Sequence, residues 1–225
     1  MGFLFPTSES FLIVQSIIVS YLYENPSCMR NKALLGLFLI GAIMQAQEKI
    51  LNILPAEIQI KTAVLPAPEA EKDKAMVYGY NNEGELIVLR EGSNNLICLA
   101  DDPQKEGISV SCYSKKLEPF MKRGRELTAE GKNFKEKREI RGMEVAQGIL
   151  EMPKEPSMTY IYYGSEEAYD DETGELGDGQ FRYVIYTPFA TTESTGLPDK
   201  PHAKGMPWLM DPGTFRAHIM VGPFN

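Results

Sequence analysis

Histidine, tryptophan and cysteine are all scarce in this chain: two, one and three among 225 residues. So few histidines exclude a histidine-rich metal centre, and a zinc site would need both His202 and His218 plus a carboxylate. Three cysteines are too few for a disulfide-dense scaffold or a clustered-cysteine metal site. Positive charge is also short. Lys and Arg number 23 against 31 acidic residues, a net charge of −8, which argues against a surface that tracks phosphates and so against a nucleic-acid partner. No apolar run reaches the roughly 18–20 residues of a bilayer-spanning helix. The longest, Phe11–Tyr23 and Ala33–Met44, stop at thirteen and twelve. The familiar catalytic signatures are missing too: no G-x-S-x-G elbow, no H-E-x-x-H, no phosphate-binding glycine loop. No cofactor is implied.

What is present begins at Met29. Arg30 and Lys32 precede the apolar stretch Ala33–Met44, and Gln45-Ala46-Gln47 follows with a small residue at a cleavage position. That is the pattern of a secretory signal peptide. The expected organisation is an over-extended start over 1–28, a signal peptide over 29–46, an N-terminal segment and linker over 47–74, and a folded domain over 75–225. The product after cleavage is expected to be extracytoplasmic, periplasmic or secreted, without a stable membrane span. The removed part contains Arg30, Lys32, Glu9 and Glu24, so the acidity persists.

Cys98 and Cys112 are the two cysteines beyond that segment, and an even count in an exported chain predicts a disulfide. They sit in short β-like runs, 95–100 and 108–113, separated by the turn-rich Asp101–Gly107. Ahead of them, 75–80 and 85–90 flank Asn81-Asn82-Glu83-Gly84, a hairpin signal. From Lys116 the apolar period lengthens to that of a helix, with Leu117, Phe120, Met121, Gly124 and Leu127 on one face. A second helix is expected from the N-cap Asn133 to Leu150. Strands return over 158–163, 180–189, 207–210 and 217–221. The reading is a single α+β domain, a mainly antiparallel sheet with a two-helix insertion.

Several groups could carry chemistry. Arg90 closes the apolar strand Leu86–Leu89 and precedes Glu91, either as an Arg–carboxylate pair shaping the turn or as part of a polar pocket. His218 lies in the β run Ala217–Val221, where a core histidine bonded to backbone is the ordinary outcome. Arg90, Glu91 and His218 together are the weak candidates for an enzymatic site. Seven carboxylates crowd residues 166–178, and Asp170, Asp171 and Glu172 are weak candidates for calcium, although the spacing matches no known calcium loop. The aromatic residues are more suggestive. Tyr160, Tyr162, Tyr183 and Tyr186 belong to a tyrosine-rich hairpin, in which the pleat puts Phe181 and Tyr183 on one side and Arg182 and Tyr186 on the other. One face should pack on the helices; the other can present rings to a ligand or an envelope component.

The stretch Leu89–Pro103, with L-R-E-G-S-N followed by a cysteine and an Asp/Pro turn, resembles a family of exported bacterial proteins of unassigned activity. Their pattern is L-R-E-G-S/T-N, two cysteines, and a C-terminal strand ending like G-T-P-Y-x-H-L-M-V. Gly213–Val221 has the same spacing, with Phe215-Arg216 where that family has Pro-Tyr. The resemblance rests on Arg90, Glu91, Asn94, Cys98, Cys112, Gly213, Thr214 and His218. It implies export and fold, and no activity. A non-enzymatic binding or envelope-associated module is therefore the leading expectation, with a hydrolase or metal-dependent enzyme as its rival.

Overall fold

Along Met76–Tyr80 and Ile108–Ser114 only Ser109 is exposed, so both faces of these strands meet other parts of the protein. A computed structural model describes residues 52–223; the expected start and signal peptide lie outside the described residues. β1 (Met76–Tyr80) and β2 (Leu86–Arg90) form the expected hairpin, its turn held by the Asn81 carboxamide, which accepts from the Glu83 and Glu85 amides. β3 (Leu96–Leu99) then pairs parallel to β1 and antiparallel to β4 (Ile108–Ser114).

Two helices interrupt the sheet. α2 (Glu118–Ala129) carries Pro119 in its first turn, where a missing amide costs nothing. α3 (Phe134–Ala146) opens with a full capping box, Asn133 and Glu136 each satisfying the other's amide. It ends four residues short of the expected Leu150. The chain returns as β5 (Ser157–Gly164), a two-residue ladder β6–β7 (Tyr169–Asp170, Glu175–Leu176), and β8 (Gln180–Tyr186). The single helical turn α4 (Thr192–Thr195) leads to β9 (Trp208–Met210) and β10 (His218–Val221). The large sheet has eight strands in the order β2-β1-β3-β4-β5-β8-β10-β9, antiparallel except for β1–β3. This is the α+β architecture expected.

Residues 47–74 are not a linker over their described part. α1 (Ala56–Ala63) packs on the sheet, and a 3-10 turn (Glu69–Lys74) is hydrogen-bonded to Arg90 of β2 and to Ser93 and Asn94 after it. Ala63, Val64 and Ala67 enter one core cluster with Val77, Cys98 and Cys112. Gln59 fixes the helix to the sheet end: its amide donates to the Tyr80 carbonyl at 2.9 Å and its oxygen accepts the Tyr80 amide at 2.7 Å. The opposite face of the sheet holds Ile97 and Tyr113, packed with Leu117 ahead of α2 and with Tyr186. Each sheet face thus has its own core, an α1 face and an α2 face.

Cys98 and Cys112 stand directly opposite each other in the β3–β4 register and form a disulfide, as the sequence predicts. Both are fully buried. Among the described residues, no helix is long and apolar enough to cross a membrane.

Candidate functional site

The L-R-E-G-S-N stretch works as a clamp. Arg90 Nε donates to the Ala75 carbonyl and its Nη2 to that of Lys72. The Ser93 and Asn94 amides both donate to the Lys74 carbonyl, and the Asn94 side chain donates to the Glu71 carbonyl and carboxylate. The expected Arg–carboxylate pair is replaced by main-chain acceptors, the Lys72 and Ala75 carbonyls at the end of a 3-10 turn. Glu91 is exposed beside this clamp.

His218 lies on β10, six places across the sheet from β2, a path of about 29 Å at about 4.8 Å per strand. Arg90 and Glu91 are therefore not brought together with His218. The C-terminal motif is architectural as well. Thr214 Oγ1 donates to the Asp211 carbonyl and accepts the Arg216 amide, while the His218 ring Nδ1–H meets the Arg216 carbonyl at 2.6 Å. Burial holds His218 below its ordinary pKa, and the Arg216 charge adds to this. It is the backbone-bonded core histidine that its β run predicts. His202 is exposed.

The structure does unite two residues expected separately. Tyr186 is the register partner of His218, and their rings lie 5.2 Å apart. Phe120 of α2 packs edge-on against Tyr186 at 5.7 Å. Tyr186 consequently belongs to the α2 face, on the side opposite Tyr183 as the pleat predicts, and is not part of the ligand-facing tyrosine row. Arg141 of α3 lies over the Phe120 ring at 4.2 Å. Sequence reading passed over Arg141, because a basic residue in a charged helix normally faces water.

The remaining row is on the α1 face. Tyr160 meets Tyr183 at 6.0 Å, Tyr162 meets Phe181 at 4.6 Å, and Phe181 meets Tyr183 at 6.1 Å. In register with them stand Met158, Ile185, Ile219 and Val221. On these same strands the α2 face buries Ser157, Thr159, Val184, His218 and Met220, whereas none of the eight α1-face side chains is buried. Phe181 is 38% exposed. The result is a row of half-buried rings and aliphatic chains with Phe181 as its exposed member; Tyr160 packs against the α1-side core, and the Tyr162 hydroxyl donates to the Leu176 carbonyl.

The acidic loop is tied down by hydrogen bonds. Asp170 Oδ1 accepts the Glu172 and Thr173 amides, Asp178 accepts the Ser165 amide, and the Tyr169 hydroxyl lies 2.7 Å from that of Thr62 on α1. Asp171 and Glu172 are exposed. Among the described residues, no three His, Cys, Asp or Glu side chains converge as metal ligands.

Asp101, at the end of β3, differs from the other carboxylates. Burial pushes its pKa up to about 6, with Asp102 contributing, although the Ser109 amide donates to it at 2.7 Å. The unfolded value is about 3.9. The folded state therefore binds the proton more tightly, and stability falls as pH rises from about 4 through about 6. Asp101→Asn should gain about 1 kcal/mol at pH 7.5, after discounting for solvent screening, and nothing at pH 4. Urea unfolding at the two pH values checks the sign.

No protein-family model, curated protein or solved structure matches this chain significantly.

Proposed function

We propose that this is an extracytoplasmic binding protein whose working surface is the aromatic α1 face of β5, β8 and β10, and that its partner is an apolar segment of an envelope protein. The observation that carries this reading is the contrast between the two faces of the same strands: Ser157, Thr159, Val184, His218 and Met220 are buried on one, whereas the rings and aliphatic chains of the other stay partly open. Contiguous exposed apolar patches mark interaction sites, and tyrosine and phenylalanine supply large contact area at little conformational cost. The signal-peptide pattern, the disulfide and the resemblance to exported proteins support the compartment. The enzymatic alternative is the weaker reading, since His218 on β10 lies six places across the sheet from Arg90 and Glu91 at the end of β2.

A random peptide library panned on the protein supplies a defined probe. Peptides selected on the wild type should bind Phe181→Asp at least tenfold more weakly, and bind Ile87→Asp, at an exposed edge-strand position, as well as wild type. Equal affinity for Phe181→Asp would overturn the proposal.

A further inference from the structure

A second surface of different chemistry lies on the α2 side. α3 and the turn entering β10 flank an open groove of about 730 Å³, within the volume range of small-molecule sites. Lys135, Arg138, Glu139, Gly142, Met143 and Ala146 of α3 line it, Glu139 being the one acid among them, and Phe215 forms the opposite wall. Gly142 lets that wall close in, since a Cβ there would lie 3.1 Å from the Phe215 ring.

The charge around this groove is opposite in sign to that of the chain. Arg138 and Arg216 share a single carboxylate, Asp211, at 3.2 and 3.4 Å. Arg141 is only 9% exposed, and its bonds run to the carbonyls of Lys137 and Phe120 rather than to a carboxylate. Glu144, the nearby acid of α3, is already clamped by Arg123 at 2.8 Å. Arg216 Nε is buried without an acceptor. Lys135 meets Glu139 only at 3.9 Å and stays exposed. Four cationic side chains thus share two carboxylates, in a protein of net charge −8. A guanidinium removed from water without a counter-charge is costly, so the potential at the groove favours an anion. The apolar walls favour a hydrocarbon.

We propose that this groove binds a single-chain fatty carboxylate, its head at Arg138 and Lys135 and its tail between Met143, Ala146 and Phe215. Arg138 offers the fork geometry that suits a carboxylate, while Arg216 and Arg141 hold the field beneath it. This site is independent of the aromatic face.

Calorimetric titration of the full chain with laurate, below its micellar range, tests the assignment. Saturable binding at one site per chain is expected. Ala146→Glu and Lys135→Glu, both at exposed positions, should each weaken it at least tenfold with unfolding midpoints unchanged, and Phe181→Asp should leave it intact. Dodecanol, with the tail alone, and acetate, with the head alone, should bind at least tenfold more weakly than laurate. Absence of saturable binding, equal binding of dodecanol or acetate, or an unaffected Ala146→Glu variant would overturn it.

Discussion

Gly92→Ala should destabilise the fold by about 3 kcal/mol, near the upper end for an overpacked site. A Cβ at residue 92 would lie 2.2 Å from the Met76 nitrogen, 2.7 Å from its Cα and 2.8 Å from the Ala75 carbonyl carbon. All three are main-chain atoms that cannot rotate away. Nor can the segment shift, since Arg90, Ser93 and Asn94 bind the carbonyls of Lys72, Lys74, Ala75 and Glu71 around it. For a domain of this size the melting temperature should drop by roughly 6–12 °C. Glu91→Ala, one residue away and exposed, should stay within about 0.5 kcal/mol of wild type. Matched urea unfolding curves of the two variants would show whether the motif clamps the fold; a Gly92→Ala protein as stable as wild type would show that it does not.

Removing the Cys98–Cys112 bridge should cost about 3 kcal/mol, the chain-entropy value for a loop of about 15 residues. The two residues are directly opposed on neighbouring strands and fully buried against Ala63 and Val77. Their loss therefore also loosens the junction between α1 and the sheet. A Cys98→Ala/Cys112→Ala double variant should unfold at lower guanidinium concentration than the wild type and should ignore reductant. Wild type should fall towards the double variant when unfolded and refolded with dithiothreitol. Identical midpoints with and without reductant would mean that the bridge contributes nothing to stability.

Features written in local sequence were readable. The Asn81–Gly84 turn, the Asn133 N-cap and the paired β runs around Cys98 and Cys112 each depend on residues a few positions apart, and each is found in the structure. The alternation along Gln180–Tyr186 even separates Tyr183 from Tyr186 correctly. Readings that depended on long-range contacts failed. The Pro66-Ala67-Pro68 stretch and the charged residues after it read as a linker from local sequence; only the sheet beneath makes Ala67 core. Arg90 was expected to seek a carboxylate, but its acceptors are carbonyls 15 and 18 residues upstream. The parallel β1–β3 pairing and the meeting of Tyr186 with His218 follow from strand order, which no local pattern encodes. Arg141 was hidden for the same reason. Its burial depends on α2 crossing above it, with Gly124 within 3.0 Å of its guanidinium when given a Cβ.

The aromatic α1 face is the central functional claim, and photo-crosslinking in the producing cell tests it most directly. A benzoylphenylalanine placed at residue 181 should yield a discrete adduct with an envelope protein. The same group at residue 87, equally exposed but at the far edge of the sheet, should yield none. The adduct should also disappear when Tyr162 and Tyr183 are both changed to alanine. No adduct from position 181, or the same adducts from both positions, would contradict the claim that this face is where the protein meets its partner.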